Sequence, residues 1–307
     1  MFRTLIVEEG EQLSVAHHVL RITRRGKTVP VPIDDLYCIV LDNQQTVVTA
    51  AAITELTRAG AHIVVCDEKH LPSSVMYPEL VHYRPYTVAV RQIALTQGQK
   101  DALWDRVVRA KLMSQAAALD CCCPGSAVAD RIRELAEEVT EGDRGNREGI
   151  GAKLYFRSLF GSRFLRMEDD GVNHALNYGY AILRSAMVKT LYLFGYYPPL
   201  GIHHIGPTNP FNLGDDLMEP FRPIVDMWAD LYHGELEEDL TAGQRRQLVG
   251  LVNLEMDYEG AHMKVRNVMA RYVRSFTAAV EKGDASLFIP PVLTSWIYKE
   301  MIRGCPD

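Results

Sequence analysis

The spacing of apolar positions changes once along the chain. Up to about residue 80 they fall in short runs between turn residues: RTLIVE (3–8), VLRIT (19–23), LYCIVL (36–41) and AHIVVCD (61–67). Such apolar and β-branched runs predict strands. TVPVPI (28–33) alternates, but its prolines cannot donate to a ladder, which confines it to a sheet edge. One short helix interrupts this region, with Thr49 to cap it, Ile53 and Leu56 on one face and Gly60 to end it. After PELVHYRPY (78–86) the spacing becomes helical: Leu176, Tyr180, Leu183, Met187, Leu191 and Phe194 step by three and four, as do Val265, Met269, Tyr272 and Phe276. The pattern predicts an α+β protein: an N-terminal β-rich domain (residues 1–84) followed by a larger all-α C-terminal domain (85–307).

Composition narrows the possibilities. With 47% hydrophobic residues in 307, the chain can bury a real core. Its formal net charge of −6 argues against coating nucleic acid over the whole surface, so any such binding must come from a local patch. No signal peptide opens the sequence, and the best membrane candidate, 175–197, is broken by Arg184 and Lys189. A cytoplasmic protein without membrane contact is expected. Six cysteines (Cys38, Cys66, Cys121, Cys122, Cys123 and Cys305) contain no Cys-x-x-Cys, so reduced thiols are expected rather than a disulfide framework or a zinc site.

Candidate chemistry concentrates in four places. GDDLMEPFRPIVD (214–226) holds Asp215, Asp216, Glu219 and Asp226 in thirteen residues. Asp216-x-x-Glu219 reads either as a capping box or as two carboxylates on one helical face, suited to a hard divalent cation. Pro220 fits a first helical turn, whereas Pro223 should distort one. GNREGIGAKLYFRSLFGSRFLR (145–166), with the preceding Arg144, offers a basic strip of Arg144, Arg147, Lys153, Arg157, Arg163 and Arg166 around one acid, Glu148. Glu148 reads as an ion-pair partner for Arg144, four residues away, or as a cation ligand among phosphate-binding groups. Gly149 and Gly151 each cost a helix about 1 kcal/mol, which makes sense where a nucleic-acid strand or another helix approaches the backbone. HALNYGYAIL (174–183) places Tyr178 and Tyr180 on a core face, with Asn177 less expected there. In the loop PPLGIHHIGPTNPFN (198–212), His203 and His204 point in different directions, so one at most should ligate a metal. A second basic strip is Lys264, Arg266, Arg271 and Arg274.

Together, REGIGAKLYF (147–156), LNYGYAIL (176–183) and NPFNLGDDLMEPFRPIVD (209–226) resemble the CRISPR-associated endonuclease-integrase of spacer acquisition, the first-numbered Cas protein. The resemblance spans essentially the whole chain. RTLIVEEGEQL (3–13) and IVVCDEKHLPS (63–73) are similar to its type II branch. It implies a β-rich dimerisation domain and a helical catalytic domain. It further implies a Mg²⁺ or Mn²⁺ site of Glu148, His204 and Glu219, with Asp216 assisting; Asp215 has no counterpart role. The implied reaction is attack by the 3′-OH of a short DNA duplex on a phosphodiester of a repeat array, the metal activating the nucleophile and neutralising charge on phosphorus. The implied partners are double-stranded DNA (spacer and repeat), a second copy of the chain, a small ferredoxin-like second-numbered Cas protein and the type II effector nuclease. A catalytically silent DNA-binding scaffold and a nuclease selective for branched DNA in repair are the alternatives.

Overall fold

Extended runs at the N-terminus form strands because their alternate side chains reach a common core. The computed structural model describes residues 3–78, 82, 84–237 and 239–304. The chain divides into two compact units, Met1–Val81 with Thr241–Val249, and His82–Leu240 with Gly250–Asp307. Residues 79–81 and 83, beside the expected domain boundary, lie outside the described residues.

In the first unit, strands β1 (Arg3–Val7), β2 (Gln12–Ala16), β3 (Val19–Arg24), β4 (Lys27–Pro32), β5 (Leu36–Leu41), β6 (Val47–Val48), β7 (His62–Cys66) and β8 (Pro72–Met76) surround one helix, α1 (Ala50–Arg58). They make two four-stranded sheets, ordered β1-β5-β7-β8 and β4-β3-β2-β6. The proline-bearing β4 lies at an edge, as its missing donors require. Thr49 accepts from the Ala52 N–H and caps α1, and Gly60 follows its end at φ +86°. Leu13, Leu20, Ile33, Leu36, Ile39, Leu56 and Ile63 form the core. The segment 241–249 is held by charge within this unit: Arg245 pairs with buried Asp42 at 2.9 Å, and Arg246 with Glu8 at 2.9 Å.

The second unit is mostly helical. Its helices are α2 (Pro85–Ile93), α3 (Gln97–Cys122), α4 (Ala127–Glu137), α5 (Arg147–Phe160), α6 (Gly171–Leu193), α7 (Asn212–Met218) and α8 (Arg222–Leu231). Then come α9 (Ala242–Gly250), most of which belongs to the first unit, α10 (Val265–Lys282) and α11 (Ser295–Ile302). A hairpin of β9 (Glu255–Tyr258) and β10 (Ala261–Lys264) precedes α10 and was not foreseen from the helical spacing. Helix α3 packs against α4, α5 and α8. The stepped residues of α6 and α10 are buried as expected: Leu176, Leu183, Met187 and Leu191, and Val265, Met269, Tyr272 and Phe276.

Two local devices prepare the site. A Cβ on Gly151 would stand 2.3 Å from Cδ2 of buried Leu112, so this glycine lets α5 lie close on α3. The approaching object is a helix, one of the two readings its spacing left open. The prolines divide what would be one helix into α7, a 3-10 turn (Glu219–Phe221) and α8, with Pro220 and Pro223 each second in its segment. Glu219 stands at the first break.

No helix is long and apolar enough to cross a membrane among the described residues. Cys38, Cys66, Cys121, Cys122 and Cys123 form no disulfide among the described residues, and burial pushes the Cys66 thiol up to about 12. Cys305 lies outside the described residues.

Candidate active site

Glu148 is placed by the start of α5. Asp143 accepts from the Arg147 N–H (2.8 Å) and, through its second oxygen, from the Glu148 N–H (3.0 Å). Asn146, at φ 49°, accepts from the Gly149 N–H at 3.2 Å. These bonds satisfy N–H groups that a helix start otherwise leaves open, and they fix the carboxylate one residue into the helix. The pairing of Glu148 with Arg144 does not occur. Arg144 precedes the helix, so four-residue spacing does not bring them together, and it pairs instead with Glu141 at 3.2 Å.

The partner of Glu148 is Lys111, from the interior of α3. Its Nζ lies 2.5 Å from Glu148 Oε1 and 2.5 Å from Glu219 Oε2. Glu219 is buried, and its other oxygen meets Arg222 Nε at 2.9 Å. Burial works to raise the Glu219 carboxyl, but the Arg222 guanidinium and the Lys111 ammonium outweigh it and hold it below the usual carboxylate range. Lys111 responds in kind. Burial favours its neutral form, yet Glu219 and Glu148 keep it above the ordinary lysine value. Lys111 was missed from the sequence. Its signal is position: Trp104, Val108, Lys111 and Gln115 step by four, three and four along the buried face of α3.

The histidine pair is organised by Asp216 and Trp104. Asp216 is fully buried in the last turn of α7, and it does not open a helix. The capping-box reading therefore fails, because α7 begins at Asn212, before both acids. Asp216 caps the loop instead, accepting from the backbone N–H groups of Ile202 (2.7 Å), His203 (3.1 Å) and His204 (3.0 Å) and bonding His204 Nδ1 at 2.6 Å. The hydrogen bond to Asp216 raises His204 above the ordinary imidazole value, against the effect of burial, with the charge of Glu219 adding to the shift. His203 turns away and stacks on buried Trp104, ring centres 4.1 Å apart and planes 5° from parallel. The two imidazole planes stand at 89°. A carboxylate on Nδ1 orients the ring and leaves Nε2 for another partner, the arrangement usual for metal-binding histidines.

Behind the acids lies a buried relay. Tyr180 donates to Asp226, and Arg222 rests over the Tyr180 ring at 4.7 Å while it pairs with Glu219. Burial pushes Asp226 up to about 7. Asn177 accepts from Arg166 at 2.8 Å. Asp215 accepts from Asn209 at 2.7 Å and so closes the loop before α7.

The basic strip splits in two. Arg147 pairs with Glu138 at 3.1 Å, and Arg166 donates to Asn173 and Asn177, so both are engaged within the unit, as Arg144 is with Glu141. Lys153, Arg157 and Arg163 are exposed and pair with no carboxylate among the described residues. In the second strip Arg271 and Arg274 are exposed, but Arg266 is buried and cannot belong to a surface.

Lys111, Glu148, Glu219, Arg222, His204 and Asp216 thus form one cluster in the second unit. No three His, Cys, Asp or Glu side chains stand at metal-ligating separation among the described residues. The donors nevertheless suit a hard cation. Two carboxylates meet one cation, the Lys111 ammonium, and the His204 imidazole lies near enough to Glu219 to feel its charge.

Residues 4–232 match the family described as "CRISPR associated protein Cas1". The chain belongs to the Cas1 family. It is 37% identical over 295 residues, covering 95% of this chain and 97% of the relative, to the CRISPR-associated endonuclease Cas1 of Neisseria meningitidis serogroup C. It is 40% identical over 88 residues to a CRISPR-associated endonuclease Cas1 of Thermus thermophilus, covering 26% of this chain and 28% of the relative. Among solved structures, the Cas1 fold is shared with a casposase bound to integration product (TM-score 0.75, 18% identity, 98% of each chain). It is also shared with a Cas1 protein from Thermotoga maritima (TM-score 0.72, 13% identity, 92% of this chain and 98% of that one). These structures have the same order, a β-rich N-terminal part followed by a mostly helical one.

Proposed function

We propose that this Cas1-family chain is a divalent-metal-dependent DNA endonuclease and integrase that inserts short duplexes into a CRISPR repeat array. The observation that carries the reading is the convergence of Glu148 and Glu219 on one cationic point, beside a histidine whose Nδ1 is held by a buried carboxylate. Glu148, Glu219 and His204 Nε2 are the groups that would hold Mg²⁺ or Mn²⁺, and the ion would supply a polarised phosphodiester and an activated 3′-OH. The protein's own groups do the rest. Asp216 fixes the loop and the tautomer of His204; Arg222 keeps Glu219 ionised; Asp143 and Asn146 hold Glu148 at the helix start. Exposed Lys153, Arg157 and Arg163, on α5 and the segment that follows it, supply charge for duplex phosphates. A likeness to a Cas6-RT-Cas1–Cas2 complex (TM-score 0.74, 17% identity, 94% of this chain and 36% of that one) favours a small second Cas protein as partner. The remaining parts of the reading are a homodimer joined through the β-rich domain of residues 1–84, the type II branch with its effector nuclease, and a cytoplasmic site of action.

The test is strand transfer of a labelled short duplex into a supercoiled repeat-bearing plasmid, with and without the small partner, in Mn²⁺, Mg²⁺ or EDTA. Joined products that require metal are expected, with Glu148→Ala or Glu219→Ala reducing joining by at least about a hundredfold, roughly 3 kcal/mol of barrier. Cut but unjoined strands would favour a branched-DNA nuclease. Tight binding without either product would favour a scaffold.

A further inference from the structure

The ammonium of Lys111 sits against both of the acids that would hold a divalent cation. It contacts Glu148 Oε1 and Glu219 Oε2 at 2.5 Å each. Its side chain is only 9% exposed and that of Glu219 only 4%, so this is no mobile surface pair. The charges of Lys111 and Arg222 offset those of Glu148 and Glu219. A dication added with the ammonium in place would crowd two cations onto the same carboxylate oxygens in a largely buried site. Like charges at that separation in a protein interior repel strongly. Lysine is suited to yield, being a point charge on a flexible four-carbon stem. An acceptor is at hand four residues on along α3. Gln115 is 2% exposed, and its side-chain oxygen has no hydrogen-bond partner among the described residues. Side chains four apart on a helix can meet.

We propose that Lys111 is a positioning residue that serves as a built-in counter-ion: it holds Glu148 and Glu219 together in the metal-free protein, and the divalent cation exchanges with its ammonium, which moves to Gln115. The proposal rests on the metal site read above, and it adds a competition that site alone does not require. In the metal-free state the lysine pre-assembles ligands contributed by α5 and the turn after α7. On loading it gives up the oxygens, which weakens metal binding in return for an ordered site.

Free Mn²⁺ is titrated with the full-length metal-free protein, without DNA, and the free-ion signal is followed by electron paramagnetic resonance. Lys111→Met is expected to bind Mn²⁺ about tenfold more tightly than the unaltered protein, a coupling of ordinary size for two ligands competing at one site. Its metal-free melting temperature should be lower, and Mn²⁺ should raise that temperature by more than it does for the unaltered chain. Gln115→Leu should weaken Mn²⁺ binding on its own and have no effect beside Lys111→Met. Unchanged or weaker binding by Lys111→Met, while Glu148→Gln abolishes binding, overturns the exchange and leaves the metal site standing. Binding indifferent to Glu148→Gln and Glu219→Gln overturns the metal site and the exchange with it. Equal weakening by Gln115→Leu in both backgrounds also overturns the exchange. Should Lys111→Met fail to fold without metal, rescue by Mn²⁺ supports the proposal and failure of rescue overturns it.

Discussion

Two histidines in tandem receive opposite tasks because their neighbours differ. His203 lies flat on Trp104, and His204 is held through Nδ1 by Asp216. His204→Ala is therefore expected to lose most strand transfer and most Mn²⁺ affinity, whereas His203→Ala keeps both with some loss of stability from the stacked ring. Imidazole ligates metal only when neutral, so protons compete with the ion. The bond to Asp216 raises His204 above the usual 6.5, so affinity for Mn²⁺ should begin to fall while the pH is still above that value as it is lowered. Titrations of both variants against pH check this, and inactivity of His203→Ala alone would exchange the two roles. Asp226 gives a second pH effect of opposite character. Its folded value, about 7, lies above the ordinary 3.8, so the native state binds the extra proton. Its contribution to stability is complete below pH 4 and is lost as the pH rises to about 7, by about 4 kcal/mol at most. Asp226→Asn should flatten the decline in melting temperature between pH 5 and pH 8 and should melt higher than the unaltered protein at pH 8. These two outcomes follow from burial and pairing, which the sequence does not display. It showed the four carboxylates of 214–226 and the two histidines. It did not show that Asp216 would cap a loop behind it, because that bond joins residues twelve apart through an irregular connection.

Elements deliver these groups by being interrupted. The prolines open a 3-10 turn at Glu219, which meets Lys111 on α3; its pairing with Arg222, three residues on, is one that a continuous helix would also allow. The sequence announced the interruption, since proline at those positions has few other uses. The loop before α7 depends on a different device. A Cβ on Gly201 would stand 2.2 Å from the His204 carbonyl oxygen and 2.8 Å from Asp216 Oδ2. Backbone cannot step aside as a side-chain tip can, so Gly201→Ala must open the loop. Its expected cost is about 1–3 kcal/mol of stability, the usual range for overpacking. Strand transfer should fall further than that loss explains, because Asp216 then no longer aligns His204. Comparing melting temperature and joining rate with those of His204→Ala checks this. Full activity at reduced stability would place the loop outside the site. Helical spacing could predict α6 and α10, whose buried faces repeat over several turns. It could not predict the four-residue strands β9 and β10, too short to establish a period.

At the scale of the molecule the open matter is how a chain of net charge −6 holds DNA. Local distribution answers it. Of the six basic residues from 144 to 166, Arg144, Arg147 and Arg166 have partners within their own unit, and Lys153, Arg157 and Arg163 project into solvent. Sequence alone weighed all six equally, because it records charge but not pairing. Each cation that neutralises a phosphate releases condensed counter-ions, so it steepens the fall of affinity with salt by about 0.9 in a log–log plot. Replacing Arg157 and Arg163 together with alanine should therefore weaken duplex binding and reduce the slope by about 2 if both touch phosphate. Melting temperature should barely change, since exposed substitutions away from packed features usually fall within about 0.5 kcal/mol. Arg166→Ala should show the reverse balance: a clear loss of stability, as Asn173 and Asn177 lose their donor, with little change in slope. Duplex affinity measured for each variant across a salt series at fixed pH separates the two classes. A fall in affinity for Arg157→Ala with Arg163→Ala at unchanged slope would remove these residues from the phosphate surface and shift attention to Arg271 and Arg274 on α10, whose side chains are also exposed.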